Sequence, residues 1–404
     1  MCYFCNTLTH NLMKCPDTAR RQLRFVCNLF LGSYLFLWSL PIFGQSQENE
    51  NPGRFHYLEI EGHSGGYLYS GPDLEESGYL ESGYGAFNMK MGWQSSPSSD
   101  WAGYYNYPSY GIGFYSGFLG NDEVFGQPNA LYGFIEFPLS RPGRKFSASL
   151  TPSFGLTYNL EPYDPIDNPL NDAIGARMAV YFNVDYGFSY RFTRELDFKG
   201  GIDFGHFSNG RTFVPNWGLN MFGLNFGIRY HYNADQFKRN PDAPLLPARM
   251  QRPPKTKLSQ LRENHISVYL AGGLVQNEAD TDNTRQYGTF SGVLEYSYRF
   301  NQIHGISAGF DYFFDNSLRQ YENASARDMA GVHLGYDFMF YKFTIKGQIG
   351  VYLTDNRGKG GYYMRPALRY DFSDKFFAQI GLKTTDGGAA DWVEYGIGFK
   401  PFRW

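Results

Sequence analysis

His206 and Ser208 stand two residues apart in the run His206-Phe207-Ser208-Asn209. In an extended chain that spacing puts both side chains on one face, because successive side chains alternate. Leu196, Phe198, Ile202 and Phe204 share their parity, while Asp197, Lys199 and Asp203 lie on the opposite face. The next segment repeats the pattern, with Phe222, Leu224, Phe226, Ile228, Tyr230 and Tyr232 on one face and Asn220 on the same parity. If the hairpin closes with Ser208 opposite Gly218, His206 meets Asn220 at cross-strand distance. A serine, a histidine and a carboxamide in one line give a hydrolase geometry. Ser208 would be the nucleophile, His206 the general base and Asn220 the acceptor that orients the imidazole. Asn209 and Asn216 are candidate oxyanion donors, although amides in loops more often close turns. One His-Ser pair at a strand end is by default an interface feature. Its coincidence with Asn209, Pro215, Asn216 and Asn220 favours catalysis.

Strands must position these residues. Beyond about residue 54 apolar and polar residues alternate from end to end, without a sustained helical period. From Phe146 to Leu160 the even positions are largely apolar and the odd ones are Ser, Thr, Gly and Asn. Such a strand fits a soluble sandwich or a membrane barrel, in which the apolar face meets lipid. Runs of ten to fifteen residues with Tyr and Phe at their ends favour the barrel, since a tilted spanning strand needs about 9–11 residues. Eight strands are expected near 55–69, 84–94, 109–119, 129–140, 146–160, 177–193, 196–209 and 218–233. Eight more are expected near 265–276, 287–301, 304–316, 328–340, 343–354, 361–372, 375–385 and 389–402.

This reading gives an all-β, transmembrane antiparallel β-barrel of about 16 strands, with two tandem eight-stranded barrels as the alternative. The polar stretch 234–264, rich in Pro, Lys and Arg, divides the halves. Short turns at Arg141–Lys145, Thr193–Glu195, Asn301–His304, Tyr341-Lys342 and Ser373-Asp374 mark the periplasmic side. Longer loops at 161–176, 210–217, 277–286 and 317–327 mark the outside. By that count the strand ending in His206 and Ser208 reaches the outer leaflet. The connection 95–108 is long where a short turn is expected, which questions either a strand boundary or the early topology.

Composition agrees: 33 Tyr, 37 Phe and 47 Gly accompany only 19% charged residues. A net charge of -3 provides no field to gather nucleic acid, so no nucleic-acid partner is expected. Cys2, Cys5, Cys15 and Cys27 all precede the strands. The pair Cys2-x-x-Cys5 lacks the second pair of a zinc site and reads as part of a functionless N-terminal extension. Arg20, Arg21 and Arg24 lead into the apolar run Phe25–Phe43, which reads as a secretory signal peptide ending near Gly44-Gln45; an uncleaved anchor is the rival. Asp164, Asp167 and Asp172 could hold Ca²⁺, but outward acidic loops are usually solvated. No metal or cofactor is expected.

At His206-Phe207-Ser208-Asn209, with Pro215-Asn216 and Gly218 following, the sequence resembles the lipid A 3-O-deacylases, often labelled acyloxyacyl hydrolases. The resemblance covers about residues 55–233 and extends to Tyr163-Asp164-Pro165 and Asn168-Pro169-x-Asn171, as in a longer form of the family. It implies an outer-membrane barrel that removes an ester-linked acyl chain from lipid A or a related outer-leaflet glycolipid. His206 and Ser208 would then be catalytic. The family's third member is a Glu twelve residues past the Ser, where this chain has Asn220. An Asn accepts the imidazole N–H but supports a developing imidazolium less well. In the second half the corresponding strand end, Lys383-Thr384-Thr385-Asp386-Gly387, has no His-x-Ser. The chain closes on Phe402-Arg403-Trp404, which looks like the terminal aromatic signal of outer-membrane proteins. The rival readings are a non-catalytic barrel whose 16-strand lumen conducts small solutes, and a degenerate deacylase kept as a lipid-binding scaffold.

Overall fold

In a computed structural model, residues 56–404 are described except 69–70, 96–99, 141–144, 194, 233–254, 278, 280–283, 321–326, 355–357 and 387. The expected signal peptide, the four cysteines and most of the polar connection lie outside the described residues.

Among the described residues the alternation produces sixteen antiparallel strands. The first eight are β1 (His56–Leu68), β2 (Tyr84–Gln94), β3 (Ser109–Phe118), β4 (Gly126–Pro138), β5 (Phe146–Leu160), β6 (Ala179–Arg191), β7 (Leu196–Ser208) and β8 (Leu219–Tyr230). The others are β9 (Glu263–Val275), β10 (Tyr287–Arg299), β11 (His304–Asp315), β12 (Asp328–Phe340), β13 (Phe343–Tyr352), β14 (Tyr362–Asp371), β15 (Phe376–Thr385) and β16 (Ala389–Arg403). Strand β8 closes on β1, with Leu68 opposite Asn220, and β16 closes on β9, with Tyr395 opposite Gly272. The all-β barrel reading holds, and the single 16-stranded closure gives way to the alternative of two closed eight-stranded barrels in tandem. The proposed wide conducting lumen loses its premise.

Inward side chains explain the closure. An eight-stranded barrel is just narrow enough for side chains to fill its interior. Arg229 of β8 reaches across the first barrel to Glu136 of β4, Nη1 to Oε1 3.0 Å, and Lys90 of β2 binds Glu61 of β1 at 2.7 Å. In the second barrel Arg369 of β14 reaches Glu295 of β10 at 3.0 Å, and Arg365 reaches Asp311 of β11 at 2.9 Å. Charges buried in a low-dielectric interior must find partners, and a porin-sized lumen would hold these groups too far apart. Outward positions are apolar and exposed, among them Ile112, Leu131, Leu156, Phe226, Phe310, Leu334 and Ile397. Among the described residues no helix is long and apolar enough to cross a membrane.

The long connection 95–108 is real, and the strands around it stay where the alternation puts them. It carries a short helix, Asp100–Tyr104, that packs against the second barrel. Trp101 meets Phe340 at 5.0 Å and Tyr341 at 5.7 Å between ring centroids. Buried Tyr105 lies 5.8 Å from Phe338 and 5.3 Å from Phe340, and its hydroxyl donates to the Met339 carbonyl. Thr256 N donates to Gly103 O at 2.9 Å, tying in the end of the polar connection.

Candidate functional site

The site begins with a buried aromatic. Phe207 points into the first barrel, fully buried, against Tyr115 and Tyr181 at 5.8 and 5.7 Å. Its inward anchorage turns the flanking His206 and Ser208 to the outer face, because neighbours on a strand point opposite ways. Leu219, also fully buried, does the same for Asn220 on β8. The β7–β8 ladder pairs His206 with Asn220, and His206 Nδ1 donates to Asn220 Oδ1 at 2.7 Å. That bond fixes the tautomer and leaves Nε2 as the basic atom.

Gly218 is required beneath the imidazole. Its φ is +78°, a left-handed conformation, and a Cβ there would lie 2.7 Å from His206 Cε1. Only glycine satisfies both conditions without strain.

Ser208 is 9% exposed. Its Oγ accepts from Asn216 Nδ2 at 2.9 Å and from Gly210 N at 3.1 Å. Asn209 N donates to Asn216 Oδ1 at 3.1 Å, which orients that amide with its NH2 toward the serine. Among the described residues no hydrogen bond joins His206 to Ser208. Asn209 Oδ1 accepts from Phe213 N at 3.5 Å, while its buried Nδ2 has no partner. The structure thus groups His206 with Asn220, and Ser208 with Asn209 and Asn216, on one outward rim.

The loop 161–178 holds this rim from behind. Asn168 and Asn171 both donate through Nδ2 to the Val124 carbonyl, at 3.0 and 2.9 Å, fastening the loop to the short helix Asp122–Phe125. Trp217 N and Gly218 N then donate to the Asp172 and Ala173 carbonyls at 3.2 and 3.0 Å. Of the acidic residues considered for Ca²⁺, Asp164 and Asp172 serve this scaffold through their carboxylates. Asp164 Oδ1 accepts from Ile166 N and Asp167 N, and Asp172 Oδ2 accepts from Asp73 N at the start of the helix Pro72–Ser77. Partial burial holds the Asp172 carboxyl above the ordinary aspartate range, against the pull of its backbone donors.

Sequence reasoning missed two participants. Gly210 N carried no side-chain signal beyond the turn chemistry of a glycine, and Arg211, whose Nη1 lies 3.3 Å from Asp391 Oδ1 of the second barrel, is paired 180 residues away.

Comparison with known proteins adds the family. Residues 49–229 match the family described as Lipid A 3-O-deacylase (PagL), and residues 264–404 match one described as Acyloxyacyl hydrolase, C-terminal domain. A search of curated proteins finds no match. Among solved structures, Neisserial surface protein A is 11% identical, covering 45% of this chain and 99% of its own, with a TM-score of 0.29. The N-terminal β-barrel domain of Pseudomonas aeruginosa OprF is 13% identical, covering 44% of this chain and 100% of its own, at a TM-score of 0.25. A mutant of the Rh. blastica porin is 10% identical over 86% of this chain and 100% of its own, at 0.19. The two family matches span most of the sequence, and the chain belongs to the lipid A 3-O-deacylase family of outer-membrane proteins.

Proposed function

We propose that this outer-membrane deacylase hydrolyses an ester-linked acyl chain of lipid A or a related outer-leaflet glycolipid by serine-histidine catalysis. The observation that carries the reading is the 2.7 Å His206–Asn220 bond on the lipid-side face, two residues from Ser208 on the same parity. In this reading Ser208 Oγ rotates from its present donors toward His206, passes its proton to Nε2 and attacks the ester carbonyl. Catalytic hydrogen bonds are often long or unmade until substrate is bound. The tetrahedral intermediate collapses when the imidazolium protonates the departing sugar oxygen. Water, activated by the same histidine, then hydrolyses the acyl-serine and releases a fatty acid.

Two N–H groups that now donate to Ser208 Oγ, from Gly210 and the Asn216 amide, become available to the oxyanion when the serine turns away. The unpartnered Asn209 Nδ2 supplies a third. Donors already aimed at developing charge contribute strongly in a water-poor site, about 2.7–4 kcal/mol for one such donor elsewhere. A nucleophile on the outer wall of a barrel meets an acyl ester without extracting the lipid from its leaflet.

Mass spectrometry of lipid A from cells expressing wild type or Ser208→Ala tests the reading. Loss of one acyl chain with wild type alone is expected; identical acyl patterns would sink the assignment. The scaffold reading draws on Asn220 and on the Ser208 hydroxyl being bonded away from His206.

A further inference from the structure

The segment between Ser208 and Gly218 is held by the second barrel as well as by the first. Gly210 and Arg211 both have left-handed backbone, φ +63° and +66°, a conformation a non-glycine residue such as Arg211 keeps only when its surroundings enforce it. The enforcing groups come from the other half of the molecule. Gln276, just past β9, accepts from Val214 N through Oε1 at 2.8 Å and donates its own N–H to the Arg211 carbonyl at 3.1 Å. Gln286 Nε2 donates to the Thr212 carbonyl at 3.0 Å. Val393 of β16 packs so closely that a Cβ on Gly210 would lie 2.3 Å from its Cγ2. Arg211 reaches Asp391, whose carboxylate is also held by Lys359 and Lys383 within the second barrel.

We propose that the second barrel, which carries no His-x-Ser of its own, is a positioning element for the site on the first. By clamping 210–214 it sets the place of Gly210 N, hence the rotamer of Ser208, and the approach of Asn216. Arg211 and Gln276 are positioning residues that act through this segment without touching the reacting atoms. The inference rests on Ser208 being the nucleophile.

The test uses the full chain folded in detergent micelles, with heat-dependent gel mobility confirming closed barrels. Two rates are read: deacylation of lipid A, resolved into kcat and KM, and labelling of Ser208 by a fluorophosphonate probe. Arg211→Gln and Gln276→Leu are expected to lower kcat and labelling by about tenfold to a hundredfold, the cost of a displacement near 1 Å, with KM little changed. Arg211→Lys, which keeps the charge opposite Asp391, should recover much of the loss. Folded variants with wild-type kcat and labelling would overturn the inference, as would losses that follow only the amount of folded protein. Should Arg211→Gln not fold, Gln286→Leu removes a single bond to the same segment and carries the same expectation. A wild type indistinguishable from Ser208→Ala in both rates would instead sink the nucleophile reading, and this inference with it.

Discussion

In the proposed mechanism, Asn220 is the residue on which the strength of catalysis turns. It holds His206 in place through Oδ1, but a neutral amide gives the imidazolium formed during attack no compensating charge. Replacing it with glutamate restores that charge at the position where the family resemblance puts a Glu. Asn220→Glu is expected to raise kcat for lipid A deacylation by at least about tenfold, given that a carboxylate-to-amide change in a serine protease triad costs about 10⁴. Asn220→Leu should lower kcat by about tenfold or more, because the imidazole loses its tautomer and its aim. Kinetics on purified protein read both. If the native protein and Asn220→Glu are equally inert, the lipid-binding scaffold replaces the enzyme. The residue-scale geometry was legible in the sequence only as far as parity reaches. Alternation put His206, Ser208 and Asn220 on one face, and an assumed hairpin register gave the pair that the ladder contains. The rotamer of Ser208 was not legible, because it depends on a backbone N–H at Gly210 and on an Asn216 amide oriented by Asn209.

At the scale of elements, the hairpin β7–β8 works because Gly218 in its turn segment permits the His206 imidazole to approach the backbone closely. Gly218→Ala tests this. The added methyl would sit 2.7 Å from His206 Cε1 on a residue at φ +78°, so either the ring or the strand end must move. The barrel itself loses little, since the site is at its rim: about 1–2 kcal/mol of stability is expected from the left-handed strain. The deacylation rate should drop far more, by about a hundredfold. Activity retained alongside an unchanged melting temperature would show that His206 does not depend on this contact. Strands were the most legible elements, because period-two alternation is a local signal that each carries in full. Barrel closure was not, since whether β8 pairs with β1 or β9 depends on how far inward charges reach across the lumen. Asp197, Lys199 and Asp203 could be assigned by parity to the inward face, but that Arg229 bridges β8 to β4 emerges only from the closed geometry.

At the scale of the whole molecule, two barrels that could each close alone are joined at both ends. The end bearing the site uses polar bonds to a strained segment, and the other uses aromatic rings around Tyr105. That division has a physical basis, for lipid offers apolar surfaces no drive to associate, and the joint must come from shape and specific contacts at the rims. The long 95–108 connection, an anomaly by loop length, exists to carry those rings. Its length was plain in the sequence but its target was not, because the partners Phe338 and Phe340 lie more than 200 residues further on. Tyr105→Ala removes a buried ring set among Trp101, Phe137, Phe338 and Phe340, which costs about 3–5 kcal/mol for a large aromatic. Calorimetry in micelles should then resolve two unfolding transitions where wild type gives one, as the barrels melt independently. Because Arg211, Gln276 and Gln286 still bind the site segment, Tyr105→Ala should lower kcat by less than Arg211→Gln does. A single unshifted transition in the variant would show that the aromatic cluster does not couple the barrels. A loss of kcat equal to that of Arg211→Gln would show that the two joints act as one, and that the distant end governs Ser208 as strongly as the adjacent one.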